Sequence, residues 1–181
     1  METKLKILDE LDRNSSGLHL RQLTKNVQGS FPNIIRFVQI LEKEGVVKAE
    51  QKANLLNITL KDSPQTVAYL KMVHTFRFLF LSVPQQNAIK DFLSKLPIKP
   101  LILSISSDFT QINLVFQKVE NEKEIQNIAN LINRQYQTKL SIKILDYLNV
   151  EKKPEEVQNN SSIIFLGIEH YYNLIWRKKE W

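Results

Sequence analysis

The chain has 181 residues, 43% of them hydrophobic and 24% charged, the composition of an ordinary globular protein of one or two domains. It contains no cysteine, so disulfides, cysteine-zinc sites, iron–sulfur clusters and a thiol nucleophile are excluded, and a cytoplasmic address is expected. The net charge of +6 leans towards polyanionic partners, and its excess lies in residues 63–119, where 6 Lys/Arg stand against 2 Asp/Glu.

The stretch METKLKILDELDR is charged and periodic rather than basic and then apolar, and no apolar run reaches the roughly 18 residues of a membrane span. Neither a secretory leader nor a membrane segment is expected. Leu5, Ile7, Leu8 and Leu11 put an apolar face on a first helix from about Thr3 to Arg13, which Asn14-Ser15-Ser16-Gly17 then breaks. Leu20, Leu23 and Val27 keep helical spacing for a short second helix, and Gly29-Ser30 makes a turn. Ile34, Val38 and Leu41 recur at i, i+4 and i+7 as one apolar stripe on a third helix, with Gly45 as its left-handed cap and a strand from Val46. Val46–Glu50 and Leu55–Leu60 are β-prone runs joined by Gln51-Lys52-Ala53-Asn54, a short hairpin wing. Residues 1–62 therefore read as a winged helix-turn-helix.

Ser63 is placed to cap a helix with Pro64 at its first position, and residues 63–82 read as a connecting helix. Val67, Leu70, Met72, Val73, Phe76, Phe78, Leu79 and Phe80 make it apolar on more than one side, which predicts burial between domains or in a homodimer. Pro84 ends or restarts it, and QQNAIKDFLSKL forms a further helix. Strands are expected at Leu101–Ser107 and Gln111–Gln117, a helix at Glu120–Tyr136 and a third strand at LSIKILDYL. A short helix at Pro154–Val157 and a closing helix at Ser161–Lys179 complete a small α/β domain, residues 83–181, in a chain of α+β class.

The segment LEKEGVVK, Leu41 to Lys48, resembles the run from third helix into wing in prokaryotic, and notably archaeal, winged-helix transcription regulators. The second half resembles the minimal nucleotidyltransferase domains that follow such heads in archaeal proteins. It shares their long connecting helix, a helix ending in a proline, two strands and a closing helix with IEHYYNLIWR. That resemblance implies a Gly-Ser turn after the first strand for nucleotide phosphate and two magnesium-holding aspartates beyond it. If QINLVF is the second strand, Gln111 and Asn113 occupy the positions of those carboxylates, and no Gly-Ser precedes them. Two amides remove about two units of negative charge from a site built for a hard dication. Asp146, at the end of the third strand, is the nearest candidate for the remaining acid. The resemblance then implies a pseudoenzyme with no catalytic residues, no metal and no cofactor, used as a scaffold.

The exposed face of the third helix is expected to present Asn33, Arg36, Phe37 and Gln39, residue types of which Asn, Arg and Gln read base edges in the major groove. Arg21 and Lys25 on the second helix and Lys48 and Lys52 at the wing are candidates for phosphate contact. A solvated helix face and scattered solubilising lysines are the plainer reading. Glu42 and Glu44 would repel phosphate, and Ile35 and Ile40, left exposed by the stripe, would suit a protein partner. His19, His74 and His170 lie far apart, without ligand spacing, and read as structural or surface residues. Asp108 reads as a turn residue, and Ser104, Ser106 and Ser107 lack an identifiable base. Phe76, Phe78, Phe80, Tyr171, Tyr172 and Trp176 read as core, and Arg177-Lys178-Lys179 as a charged helix end. The expected function is non-enzymatic binding of double-stranded DNA by a transcription regulator, as a homodimer. An active nucleotidyltransferase and a winged-helix protein-interaction subunit are the alternatives.

Overall fold

A computed structural model describes residues 2–157 and 162–177, apart from the side chains of Lys52, Glu155 and Arg177. The chain divides into two compact units, Met1–Phe76 and Arg77–Trp181. No helix among the described residues is long and apolar enough to cross a membrane.

The first unit runs α1 (Thr3–Arg13), β1 (Leu18–His19), α2 (Leu20–Val27), α3 (Phe31–Lys43), β2 (Val47–Lys52), β3 (Leu55–Leu60) and then into α4 (Pro64–Leu79). Its antiparallel sheet has the order β1-β3-β2, so the wing hairpin carries an extra two-residue strand from the α1–α2 connection. This is a winged helix. Leu5, Ile7, Leu8 and Leu11 of α1, Leu20, Leu23 and Val27 of α2, and Ile34, Val38 and Leu41 of α3 are all buried. Each such side chain contributes about 1.5–3 kcal/mol of burial. The strand β1 escapes the sequence because two residues show no alternation. The wing turn is also tighter than expected: Gln51 and Lys52 pair within the ladder, and Ala53-Asn54 alone make the bend, with Ala53 at φ 52°.

The end of α3 is a Schellman turn: Val46 N–H reaches the Leu41 carbonyl at 2.9 Å and Gly45 N–H the Glu42 carbonyl at 3.0 Å, with Gly45 at φ 73°. The first turn of α4 completes it. Ser63 Oγ donates to the Gly45 carbonyl at 2.8 Å and Thr66 Oγ1 to the Val46 carbonyl at 3.0 Å.

The second unit holds the end of α4, then α5 (Val83–Lys95), β4 (Ile102–Ile105), β5 (Gln111–Phe116), α6 (Glu122–Tyr136), β6 (Ser141–Asp146), α7 (Tyr147–Lys152), a 3₁₀ turn (Pro154–Glu156), β7 (Ile163–Leu166) and α8 (Ile168–Arg177). Pro84 restarts the chain: it lies in the first turn of α5, behind a capping box between Ser82 and Gln85. The sheet order is β6-β5-β4-β7, with β5 and β6 parallel and the other pairs antiparallel. Leu103, Ile105, Ile112, Leu114 and Phe116 share one core with Ala88, Ile89 and Phe92 of α5 and Ile125, Ala129 and Ile132 of α6. The alternate residues of β4 and β5 face the other side, where α7 packs on β5 and α8 on β4 and β7. The unit is a three-layer α/β sandwich. Tyr136 Oη donates to Asp91 Oδ2 at 2.6 Å and clips α6 to α5. That bond holds the Asp91 carboxyl below its usual range and pushes the Tyr136 hydroxyl up.

Three expectations need correction here. The expected closing helix begins as a strand: Ile163–Leu166 pairs with β4, and α8 starts only at Ile168. The divide is Gly167, at φ 72°, where a Cβ would collide with the Leu101 carbonyl oxygen, and β-branched Ile163 and Ile164 lie on its strand side, paired with β4. The expected third strand stops at Asp146, whose side chain caps α7 by accepting from Leu148 N–H at 2.9 Å. Phe80 is not core: it is 76% exposed, whereas Phe78 is buried against Phe165. Ser161, Lys178 and Lys179 lie outside the described residues.

Candidate nucleic-acid interface

A helix advances about 100° per residue, so burying Ile34, Val38 and Leu41 decides what α3 shows to solvent. Arg36 falls opposite the stripe with Gln39 beside it, and both are exposed; Asn33 and Phe37 are half-buried at its flank. The Arg36 guanidinium lies 5.1 Å from the centroid of the Phe37 ring, a cation–π seat that steadies a long side chain without consuming its hydrogen-bond donors. Arg21 and Lys25 are exposed on α2, one turn apart, and α2 packs against α3. Lys48 on β2 is exposed but pairs with Glu50, two residues on, at 2.5 Å. The side chain of Lys52 lies outside the described residues.

Ile35 and Ile40 differ from expectation. Both are half-buried, because they border the stripe and the neighbouring elements of the unit overlap the helix beyond its three central positions. The two glutamates at the helix end also prove to be engaged. Glu42 Oε1 accepts from Ala49 N–H at 3.1 Å and so ties α3 to the wing. Glu44 accepts from Lys4 Nζ of α1 at 2.8 Å and from Tyr69 Oη of α4 at 2.8 Å. The hydrogen bond from Lys4 holds the Glu44 carboxyl below the usual glutamate range, and the same bond raises the Lys4 ammonium. Burial and then the bond to Glu44 push the Tyr69 hydroxyl up. This three-way contact joins α1, α3 and α4 and has no separate sequence signal, since its members stand 40 and 25 residues apart.

The histidines are dispersed. His74 is buried beside Asp12, Nε2 to Oδ2 3.6 Å, between α4 and α1; His19 is half-buried at the start of α2, its Nδ1 without a hydrogen-bond partner among the described residues; His170 is exposed on α8. Among the described residues, no three His, Asp or Glu side chains converge as metal ligands.

In the second unit Gln111 and Asn113 stand two apart on one face of β5. Gln111 Nε2 donates to Asn113 Oδ1 at 2.6 Å, and Asn113 Nδ2 donates to Ser104 Oγ at 3.2 Å across the β4–β5 ladder. The hairpin between these strands is closed on itself. Ser106 N–H bonds the Gln111 carbonyl at 2.9 Å, and Ser106 Oγ accepts from Gln111 N–H at 2.9 Å. Asp108 Oδ1 accepts from Thr110 Oγ1 at 2.8 Å, and its hydrogen bonds with Ser106 and Thr110 lower its carboxyl. Tyr171, Tyr172 and Trp176 are buried side by side with successive centroids 5.1 Å apart, the two tyrosines edge to face and Trp176 tilted on Tyr172.

No protein-family model and no curated protein matches the chain. Among solved structures it is similar to reduced HlyU from Vibrio cholerae, at 21% identity over 45% of this chain and 80% of that one, with a TM-score of 0.37. It is likewise similar to MepR, a transcription regulator of the Staphylococcus aureus multidrug efflux pump MepA, at 20% identity over 52% of this chain and 76% of that one, with a TM-score of 0.38. At that level of likeness neither protein's activity carries over to this chain.

The Glu44 contact yields a pH-dependent prediction. Its folded pKa lies below the unfolded value, so its stabilisation is complete above about pH 4.3 and is lost as pH falls through the folded pKa. Glu44→Gln should lower stability at pH 7 by about 0.5–1 kcal/mol, the range of a part-exposed ion pair. In urea titrations at pH 7 and pH 3 the gap to wild type should narrow at the lower pH; an equal gap at both would mean that the carboxylate charge plays no part.

Proposed function

We propose that this protein is a transcription regulator that binds double-stranded DNA through its winged helix, with α3 in the major groove. The observation that carries this reading is the division of charge on α3. Arg36 and Gln39 stay exposed opposite the buried stripe, while Glu42 and Glu44 are held by the wing and by α1 and α4. Asn33, Arg36 and Gln39 are the residues proposed to read bases, and Arg21, Lys25, Lys48 and Lys52 those proposed to hold phosphates. The half-burial of Ile35 and Ile40 weakens the case for a protein-docking winged helix. A duplex selected from a random pool supplies the test. Arg36→Ala should cost about 1–3 kcal/mol on the selected site and less on random duplex. Lys25→Ala should weaken all duplexes alike and reduce the salt slope by about one. Failure of the wild type to select any duplex would remove the DNA reading and favour a protein partner, and equal binding by wild type and both variants would move the contact off α2 and α3.

The α/β unit is proposed to be an inactive nucleotidyltransferase-like domain serving interaction or regulation. Supporting this, the two amides at the expected carboxylate positions satisfy one another and Ser104, and the β4–β5 hairpin is too tightly closed to cradle a phosphate. Protein supplied with magnesium or manganese and nucleoside triphosphates should transfer nothing to itself or to nucleic acid. Metal-dependent transfer that Asp108→Ala abolishes would make it an enzyme.

The protein is further proposed to act as a homodimer. At the corner between α4 and α5, Leu79, Phe80 and Val83 are 57%, 76% and 67% exposed, an apolar cluster that a second copy would cover. Light scattering over a dilution series should give a dimer mass for wild type and a monomer mass for Phe80→Asp; a monomeric wild type at every concentration would exclude the dimer.

A further inference from the structure

The strands β5 and β6 are parallel and joined by α6, so their carboxyl ends, at Phe116 and Asp146, open on the same edge of the sheet. Ligands of α/β folds collect at such edges, because the loops that leave the strand ends diverge and leave a crevice. Here the crevice is a cleft of about 730 Å³ between the β5–α6 loop, the end of β6, and α7 with the 3₁₀ turn. That volume falls in the range of small-molecule sites, about 300–1,000 Å³.

Its lining carries cations and acids in equal number, but they are not equally engaged. Asp146 is spent on capping α7 through Leu148 N–H, and Glu156 pairs with Lys143 at 3.6 Å. Glu122 lies in the first turn of α6, where the helix end offsets a negative charge. Lys152 and Lys153, by contrast, have no ion-pair partner among the described residues, and Lys118 has only an exposed pair with Glu120 at 3.2 Å. The lining is formally neutral, and Lys152 and Lys153 are the charges in it that stand exposed with no ion-pair partner among the described residues. Beside these lysines the wall is apolar: Val119 and Ile144 line it, and Leu148 is 57% exposed within it.

We propose that this cleft binds a small organic anion, with its charged group held by Lys152, Lys153 and Lys118 and its apolar body against Leu148, Val119 and Ile144. The site is separate from Gln111 and Asn113, whose side chains bond to one another and to Ser104, and it stands or falls independently of DNA binding.

The test is an amide-resonance titration of the full chain with phenyl phosphate and with benzoate, each an anion on an apolar ring, alongside inorganic phosphate and phenol, which hold one half of the ligand each. Shifts confined to residues 118–122 and 144–156 with at least one of the two ring anions, tighter than either half-ligand, support the proposal, and the tighter of the two identifies the head group. Lys152→Glu with Lys153→Glu should weaken that binding about tenfold or more, as loss of a charge-assisted contact does. Both lysines are exposed, and the same spectra report whether the variant is folded. Leu148→Ser, a second exposed position, should weaken the ring anions and leave inorganic phosphate unchanged. Shifts elsewhere, no shift with any ligand, or unaltered affinity in both variants would overturn it.

Discussion

A helix cannot stop inside a protein without partners for its last carbonyls, and in the winged-helix unit α3 stops against the first turn of α4. Gly45 reverses the chain, Val46 buries itself beneath the turn, and Ser63 and Thr66 take the carbonyls that the reversal leaves over. Where α3 ends is where β2 begins, so this one junction fixes the end of the helix and the start of the wing, while the buried stripe of Ile34, Val38 and Leu41 sets the helix phase. With the phase set, Arg36 must point away from the core.

The acids beside that junction show how tertiary structure changes the meaning of a charge. Glu42 and Glu44, taken as sequence, argue against a polyanionic partner. In the folded unit one carboxylate accepts from the Ala49 N–H of the wing and the other is matched by Lys4 and Tyr69. Both carboxylates stay exposed but are engaged by groups of the same unit, and the face opposite the buried stripe is carried by Arg36 and Gln39. A half-neutralised acid costs an approaching phosphate far less than a free one.

The α/β unit is organised about β5, flanked by β4 and β6 and covered on both faces. Burial on both faces explains why Asn113, 6% exposed, must have its amide satisfied from within the sheet by Gln111 and Ser104. The same sheet leaves a different edge open, at the carboxyl ends of β5 and β6. There Lys152, at the end of α7, and Lys153 beyond it stand exposed with no ion-pair partner among the described residues.

Much of this molecule was legible in the residue order alone. The helix α1 follows from Leu5, Ile7, Leu8 and Leu11, α3 from the spacing of Ile34, Val38 and Leu41, and its end from Gly45, since periodicity and a left-handed glycine are local properties. The strand β1, the helix α7 and the strand β7 were not legible. Two residues carry no period, Tyr147 continues an apolar run into a new helix, and Ile163–Leu166 is a strand only because β4 offers it an edge. Residue order likewise named Arg36, Gln39, Gln111 and Asn113, but the neutralising of Glu44, the half-burial of Ile35 and Ile40 and the cleft beside α7 arose from tertiary structure. Each depends on groups many residues apart, and only the closed chain brings such groups within the few ångströms over which charge, hydrogen bonding and burial act.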